Sequence, residues 1–134
     1  MAKGKTVKLV VVTPERQVLE ETAEAVVIPA HDGELGILPD RAPLMCELGI
    51  GQMRYRRDGA TRRLFIDGGF AQVLDNNVTV LTEHAAPAEE ISDEMVAEAE
   101  HSAAELPGKT LEEVEARRRA KRRASVLRNL QVAH

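Results

Sequence analysis

The chain has almost no aromatic residues. Trp is absent, and Tyr55, Phe65 and Phe70 are the only members of the class among 134 residues. A core of useful size must therefore be aliphatic, drawn from the Val, Leu, Ile and Ala within the 43% hydrophobic fraction. The same shortage removes the flat side chains on which many nucleic-acid binders stack bases. Cys46 is the sole cysteine, which excludes an internal disulfide and fits a reducing compartment. No apolar run approaches the roughly 18 residues of a membrane span. The opening "MAKGKTVKLVVV" joins basic residues to a short apolar run. That run alternates from Lys5 to Lys8, leads into a turn at Thr13-Pro14 and has no small-residue cleavage site. It reads as a strand and not as a signal peptide.

Catalytic signatures are missing as well. His31, His84, His101 and His134 are scattered, with no i,i+4 pair and no second Cys to complete a metal spacing. No nucleophile motif surrounds a Ser or the Cys, and no phosphate-cradling Gly-Lys loop follows a strand. Asp32 and Glu34 are close together, but a turn rich in Asp and Gly accounts for them. The expectation is no catalytic residue, no metal and no cofactor.

What is present divides in two. Residues 5–85 read as short strands: "TVKLVVV" and "AEAVVIPA" are rich in β-branched residues, and "QMRYRR" and "TVLTE" come close to apolar/polar alternation. Turn signals stand at Asp58-Gly59, Gly68-Gly69 and Asn76-Asn77. Short strands at this spacing imply an antiparallel β-sandwich or barrel. Within this part, "GELGILPDRAPLM" sets Leu35, Ile37 and Leu38 among two Gly and two Pro. Pro39 and Pro43 cannot donate to a sheet ladder, so residues 33–45 form an edge or a rigid loop suited to a binding surface or a crossover.

After about residue 88 the period becomes helical. Ile91, Met95, Ala99, Ala103 and Leu106 fall on one face, and Ser92 is placed to cap the N-terminus. Pro107-Gly108 breaks the helix, and Thr110 with Glu113 makes a capping box for a second one. That second helix carries Ala116, Ala120, Ala124 and Leu127 on a stripe. Two Ala-rich stripes predict an antiparallel α-helical hairpin, weakly packed because small side chains bury little area.

Charge divides the hairpin sharply. Residues 89–115 hold ten acidic residues and one basic, Lys109, whereas residues 116–134 hold seven basic and none acidic. The seven are Arg117, Arg118, Arg119, Lys121, Arg122, Arg123 and Arg128. In an antiparallel hairpin they lie opposite Glu90, Asp93, Glu94, Glu98 and Glu100, so the first helix neutralises the second. Exposed pairs contribute only about 0–1 kcal/mol each, so another acidic surface competes for the basic run. A basic-tailed regulator that binds nucleic acid is the alternative. It rests on this run alone, in a chain of net charge −4.

The pieces "VVTPER", "VVIPAHDGELGILPDRAPLM", "LFIDGGFAQVLDNNVTVLTEHA" and "EEIS" before two helices resemble the epsilon subunit of F-type ATP synthases, in the family's order and spacing from about residue 6 to 130. The resemblance implies a ten-stranded β-sandwich over residues 1–88 that binds the gamma subunit and the ring of membrane c subunits. It implies a regulatory two-helix hairpin over residues 89–134. It also implies a non-catalytic rotor subunit of the central stalk, coupling proton-driven rotation of the ring through gamma to ATP synthesis. The basic helix is then expected to dock on an acidic loop of the catalytic beta subunits and hinder ATP hydrolysis. Glu34 and Arg41 match the family's rotor-facing positions, with Arg41 standing where the family usually has His. An ATP-binding motif of some bacterial members has its nearest match at Leu111, Glu112, Glu115 and Ala116. Glu115 there replaces a phosphate-binding Arg, so nucleotide binding is not expected. With no transit peptide before the first strand, a peripheral place on the cytoplasmic face of a bacterial plasma membrane is expected.

Overall fold

Side-chain alternation sets the first strand. In β1 (Val7–Val12), Val7, Leu9 and Val11 are buried, while Lys8, Val10 and Val12 face outward. In the computed structural model, which describes residues 4–133, seven further strands follow: β2 (Gln17–Ala23), β3 (Ala25–Ala30), β4 (Gly33–Ile37), β5 (Leu44–Arg57), β6 (Ala60–Leu74), β7 (Asn77–Leu81) and β8 (Ala85–Pro87). A 3-10 turn at Ala88–Glu90 leads to α1 (Asp93–Glu105) and α2 (Leu111–Ala133).

The strands run in the order β2-β1-β7-β6-β5-β3-β4, with β8 added to β6. Three strands separate β1 from β3 in that order, yet Leu9 and Val11 share one buried cluster with Val26, Ile28 and Ile37. The sheet therefore folds over on itself into two packed layers, as the strand spacing predicts. Pairing is antiparallel throughout except for β1 and β7, which run parallel; the expected fully antiparallel pattern is corrected there. Among the described residues there are eight strands where the family resemblance implies ten. The difference lies in β5 and β6, 14 and 15 residues long, which each run unbroken past the bend.

That bend corrects a predicted turn. Gly68-Gly69 does not end a strand. Both glycines have positive φ, 69° and 103°, and a Cβ on Gly69 would lie 1.9 Å from the Leu81 carbonyl oxygen. The pair lets β6 kink against β7 without breaking. The β6–β7 turn lies one residue earlier than expected, at Asp75-Asn76, whose φ values of 51° and 63° are those of a type I′ hairpin. Asp58-Gly59 makes the same kind of turn between β5 and β6.

Both helix starts follow their sequence signals. The Ser92 hydroxyl accepts from the Met95 amide at 3.1 Å. The Glu113 amide donates to the Thr110 hydroxyl at 3.1 Å, and the Glu113 carboxylate accepts from the amides of Thr110 and Lys109 at 3.0 Å. Those backbone hydrogen bonds, Thr110 first, lower the Glu113 pKa. The buried stripe of α1 is narrower than expected, with Val96 and Ala103 buried and Met95 and Ala99 half-buried. Ile91 is buried ahead of the helix, not within it. On α2, Ala120, Ala124, Leu127 and Leu130 are buried.

Candidate functional site

The kink at Gly68-Gly69 divides β6 into two environments. Before it, Leu64, Phe65, Ile66 and Asp67 are all buried. Leu64 and Ile66 point into the sandwich, whereas Phe65 packs with Ala88, Ile91, Val96, Leu127 and Leu130 under the hairpin. After it, Ala71 and Val73 are buried and the alternate side chains stand bare. Phe70 is 54% exposed and is opposite Leu81, 52% exposed, while Met45 on β5 is 65% exposed. Val10 and Val12 of β1 extend the face beyond β7, with Val12 opposite Leu81. An apolar face of this kind on an otherwise regular sandwich marks a place where another surface sits.

The predicted 33–45 segment is in part strand. β4 is the sheet edge, and Leu38–Pro43 is the loop that follows. Glu34 on β4 accepts two hydrogen bonds from Arg54 of β5, at 2.7 and 3.2 Å. The Arg54 hydrogen bond holds the Glu34 carboxyl below its ordinary range. Arg41 lies exposed in the loop and joins no ion pair among the described residues. Sequence reasoning placed Glu34 and Arg41 on one rotor-facing segment; the structure ties Glu34 to Arg54 and leaves Arg41 unpaired. It missed what holds the loop. Asp40 has φ 66° and exchanges hydrogen bonds with Asn76, the Asp40 amide to Asn76 Oδ1 at 2.6 Å and Asn76 Nδ2 to the Asp40 carboxylate at 3.1 Å. Lys5 closes the same carboxylate at 2.8 Å. Lys5 and Asn76 lower the Asp40 pKa.

The basic run of α2 does not face α1 as a whole, which corrects the expected neutralisation. Among the described residues, Arg128 alone of the basic run pairs with the first helix, at Glu100. Gln131 also bridges, to Asp93 at 2.8 Å. Arg123 turns instead to Asp67 on β6, with its Nε 2.9 Å from Oδ2 and its Nη2 3.1 Å from Oδ1. Arg122 donates to the Ile50 carbonyl of β5 at 2.9 Å. The reason is position: α2 packs on α1 along one side and on β5 and β6 along another, so the arginines divide between them. Arg118 and Arg119 line a cleft of about 790 Å³ between α2 and the sheet bend, beside Glu34, Glu47 and Asp67. Arg118, Arg119 and Lys121 form no ion pair among the described residues. The Arg117 guanidinium lies against Gly108, where a Cβ would meet it at 2.8 Å, and its Nε is buried without a hydrogen-bond partner. Leu111, Glu112, Glu115 and Ala116 fall on the first turns of α2, with Leu111 largely exposed.

Asp67 is the functional candidate that the sequence analysis passed over. It is 6% exposed and joins Arg123 and His84, whose Nδ1 stands 2.9 Å from Oδ2; its amide donates to the Thr82 hydroxyl at 3.0 Å. Burial raises its pKa, but the hydrogen bonds and charges of Arg123 and His84 outweigh burial and leave it below the ordinary aspartate range. One signal was available: a carboxylate inside the apolar run "LFID" must find a cation when buried. Among the described residues, no group of three or more His, Cys, Asp or Glu is placed to hold a metal.

What the fold presents is a set of interaction faces on a β-sandwich with an appended hairpin. Residues 6–88 match the family described as ATP synthase, Delta/Epsilon chain, beta-sandwich domain, and the chain belongs to that family. Its curated relatives are named ATP synthase epsilon chain. That of Pelotomaculum thermopropionicum is 48% identical over 87 residues, covering 65% of this chain and 65% of its own length. The Rhodopirellula baltica chain is 40% identical over 119 residues, covering 89% of this chain and 93% of its own. Among solved structures, a chain of the Euglena gracilis mitochondrial ATP synthase OSCP/F1/c-ring assembly superposes with a TM-score of 0.77 at 25% identity, over 99% of this chain and 86% of that one. A chain of the Tetrahymena thermophila mitochondrial ATP synthase central stalk/c-ring structure has a TM-score of 0.63 at 16% identity and shows the fold alone.

Proposed function

We propose that this chain is a non-catalytic rotor subunit of a proton-translocating F-type ATP synthase, coupling rotation of the c-ring through gamma to ATP synthesis. The observation that carries this is the outward face of exposed Phe70, Leu81 and Met45, with half-buried Val10 and Val12 beside them. It gives the sandwich, residues 1–88, an apolar surface for gamma. The Leu38–Pro43 loop, pinned by Asn76 and Lys5, offers Arg41 and an exposed Leu38 to the ring. Arg41 and Glu34 are the polar contacts on that side. The subunit sits peripherally at the membrane through the complex; no described helix is long and apolar enough to cross one. Replacing Phe70 and Leu81 by Glu is expected to abolish co-purification with gamma while the melting transition stays in place. A doubly charged variant that still co-purifies removes this face from the interface.

The hairpin, residues 89–134, serves as a brake on ATP hydrolysis, its basic helix docking on an acidic loop of the beta subunits. Support comes from Arg118, Arg119 and Lys121, which are exposed and have no internal ion-pair partner among the described residues. Changing these three to Ala is expected to raise ATP hydrolysis by the assembled enzyme and leave assembly intact. An unchanged hydrolysis rate across a range of salt concentrations would make the run a solvated face and nothing more.

A further inference from the structure

Among the described residues, the hairpin is held to the sandwich by an apolar cluster, by the Arg122 hydrogen bond to the Ile50 carbonyl and by one ion pair, and that ion pair has a competitor. Asp67 is buried and its carboxylate is approached from two sides. Arg123 reaches it from α2, and His84 reaches it from the strand-connecting segment between β7 and β8. Arg123 Nε and His84 Nδ1 meet the same oxygen, Oδ2, both at 2.9 Å. Arg123 belongs to the movable hairpin. His84 belongs to the sandwich and stays with Asp67 wherever the hairpin goes. Its side chain is 70% exposed.

We infer that Asp67 is a charge-exchange latch: Arg123 neutralises it while the hairpin is docked, a protonated His84 neutralises it when the hairpin leaves, and acidification therefore favours undocking. The inference rests on the reading above that the hairpin moves. With a neutral imidazole, departure of Arg123 exchanges the Asp67 ion pair for water alone, because the helices that cover the carboxylate leave with it. With a charged imidazole, the carboxylate keeps an ion pair after departure, and the docked state has two cations sharing one anion. Both effects act in the same direction. Among the described residues, the other charged groups that line the same cleft as His84 are Glu15 and Arg16 of the β1–β2 turn and Glu98 of α1, with Glu83 beside it in sequence. Between about pH 8 and about pH 5.5, imidazole is the side chain that as a class changes charge. Screening at the exposed histidine limits the effect to about threefold to tenfold in the ratio of docked to undocked hairpin.

The test reads the docking equilibrium of the isolated full-length chain. Spin labels at T22C and S125C, in a C46S background, report the distance between the sheet and α2 at about pH 8 and about pH 5.5. The expected result is a docked population at the higher pH that falls severalfold at the lower one. H84Q, which keeps a donor but cannot charge, should stay docked at both. R123Q should be largely undocked at both and, changing a side chain of the hairpin only, leaves the sandwich folded; D67N should agree with it. R118Q should follow the unmodified chain. If H84Q keeps the pH response, or if R123Q is as fully docked as the unmodified chain, the latch is refuted. Failure of the brake reading would appear separately, as unchanged ATP hydrolysis in the assembled enzyme with these distances unaffected.

Discussion

The two halves of β6 belong to one strand, Ala60–Leu74, yet their outer sides meet different fates. Before the glycine pair, Phe65 and Asp67 are sealed by the chain's own helices. After it, Phe70 and Leu74 are bare. The sealed half shows what a covered outer face looks like in this protein: an aromatic anchor, small and branched aliphatic neighbours, and one carboxylate answered by arginine. The bare half has the anchor and the aliphatic neighbours but no cover. Under the function proposed above, Phe70 is the same construction with its second layer supplied by gamma.

Five perturbations would break or sharpen this contrast, and the strongest acts on the boundary itself. Gly69→Ala places a Cβ 1.9 Å from the Leu81 carbonyl, at a φ that L-residues avoid. It is expected to cost about 3 kcal/mol or more and to blur both halves together, read by chemical denaturation. Phe65→Ala and Phe70→Ala form the paired test. The first empties a buried anchor and should cost about 3–5 kcal/mol. The second should change stability by less than about 0.5 kcal/mol and yet weaken capture by gamma. Equal melting losses would erase the distinction between the halves.

Removing residues 89–134 strips the cover from the first half and turns it into a second bare face. The fragment 1–88 should still fold and bind gamma but melt roughly 5–10 °C lower, since Phe65 and Ala88 lose their partners. A fragment that melts with the full chain would mean the hairpin contributes nothing to the sandwich. Acid gives a milder version of the same stripping. The folded pKa of Asp67 is lowered by its partners, so its contribution is present above the unfolded aspartate value of about 3.9 and is lost as pH falls through the lower folded value. Hairpin protection in hydrogen exchange should therefore decline below about pH 4, and Asp67→Asn should lack this acid-dependent step. The smallest structural effect belongs to the loop. Glu34→Ala with Arg41→Ala should leave the melting temperature within a few degrees, because both side chains lie at the surface. Proton-coupled ATP synthesis by the assembled enzyme should nonetheless fall.

Much of this was legible in the sequence where the signal is local. Alternation in "TVKLVVV", the Ser92 cap and the Thr110/Glu113 box each depend on residues a few places apart, and each appears where expected. Gly68-Gly69 was misread because a strand kink and a turn both call for positive φ; only the partner strand decides between them. The basic run was recognised, but its partners were not. Charge opposite charge in a hairpin placed Glu100 among the acidic partners of the run as a whole, and Arg128 is the residue that meets it. Arg123 and Asp67 are 56 residues apart, and which side of α2 meets β6 is settled by where Phe65, Leu127 and Leu130 pack. Asn76, holding Asp40 from 36 residues away, escaped notice for the same reason.

The capping box of α2 has a mechanical consequence. Thr110 and Glu113 satisfy the amides of Lys109, Thr110 and Glu113 at the start of the helix, without help from the sandwich or from α1. A helix with its own end-cap need not unravel when its neighbours let go. At 1.5 Å per residue, the 23 residues of α2 make a rod about 35 Å long. Released from the sheet, it would behave as a strut of fixed length, with arginines at set heights along it. The span between its anchor and whatever it strikes is then written in the number of its residues.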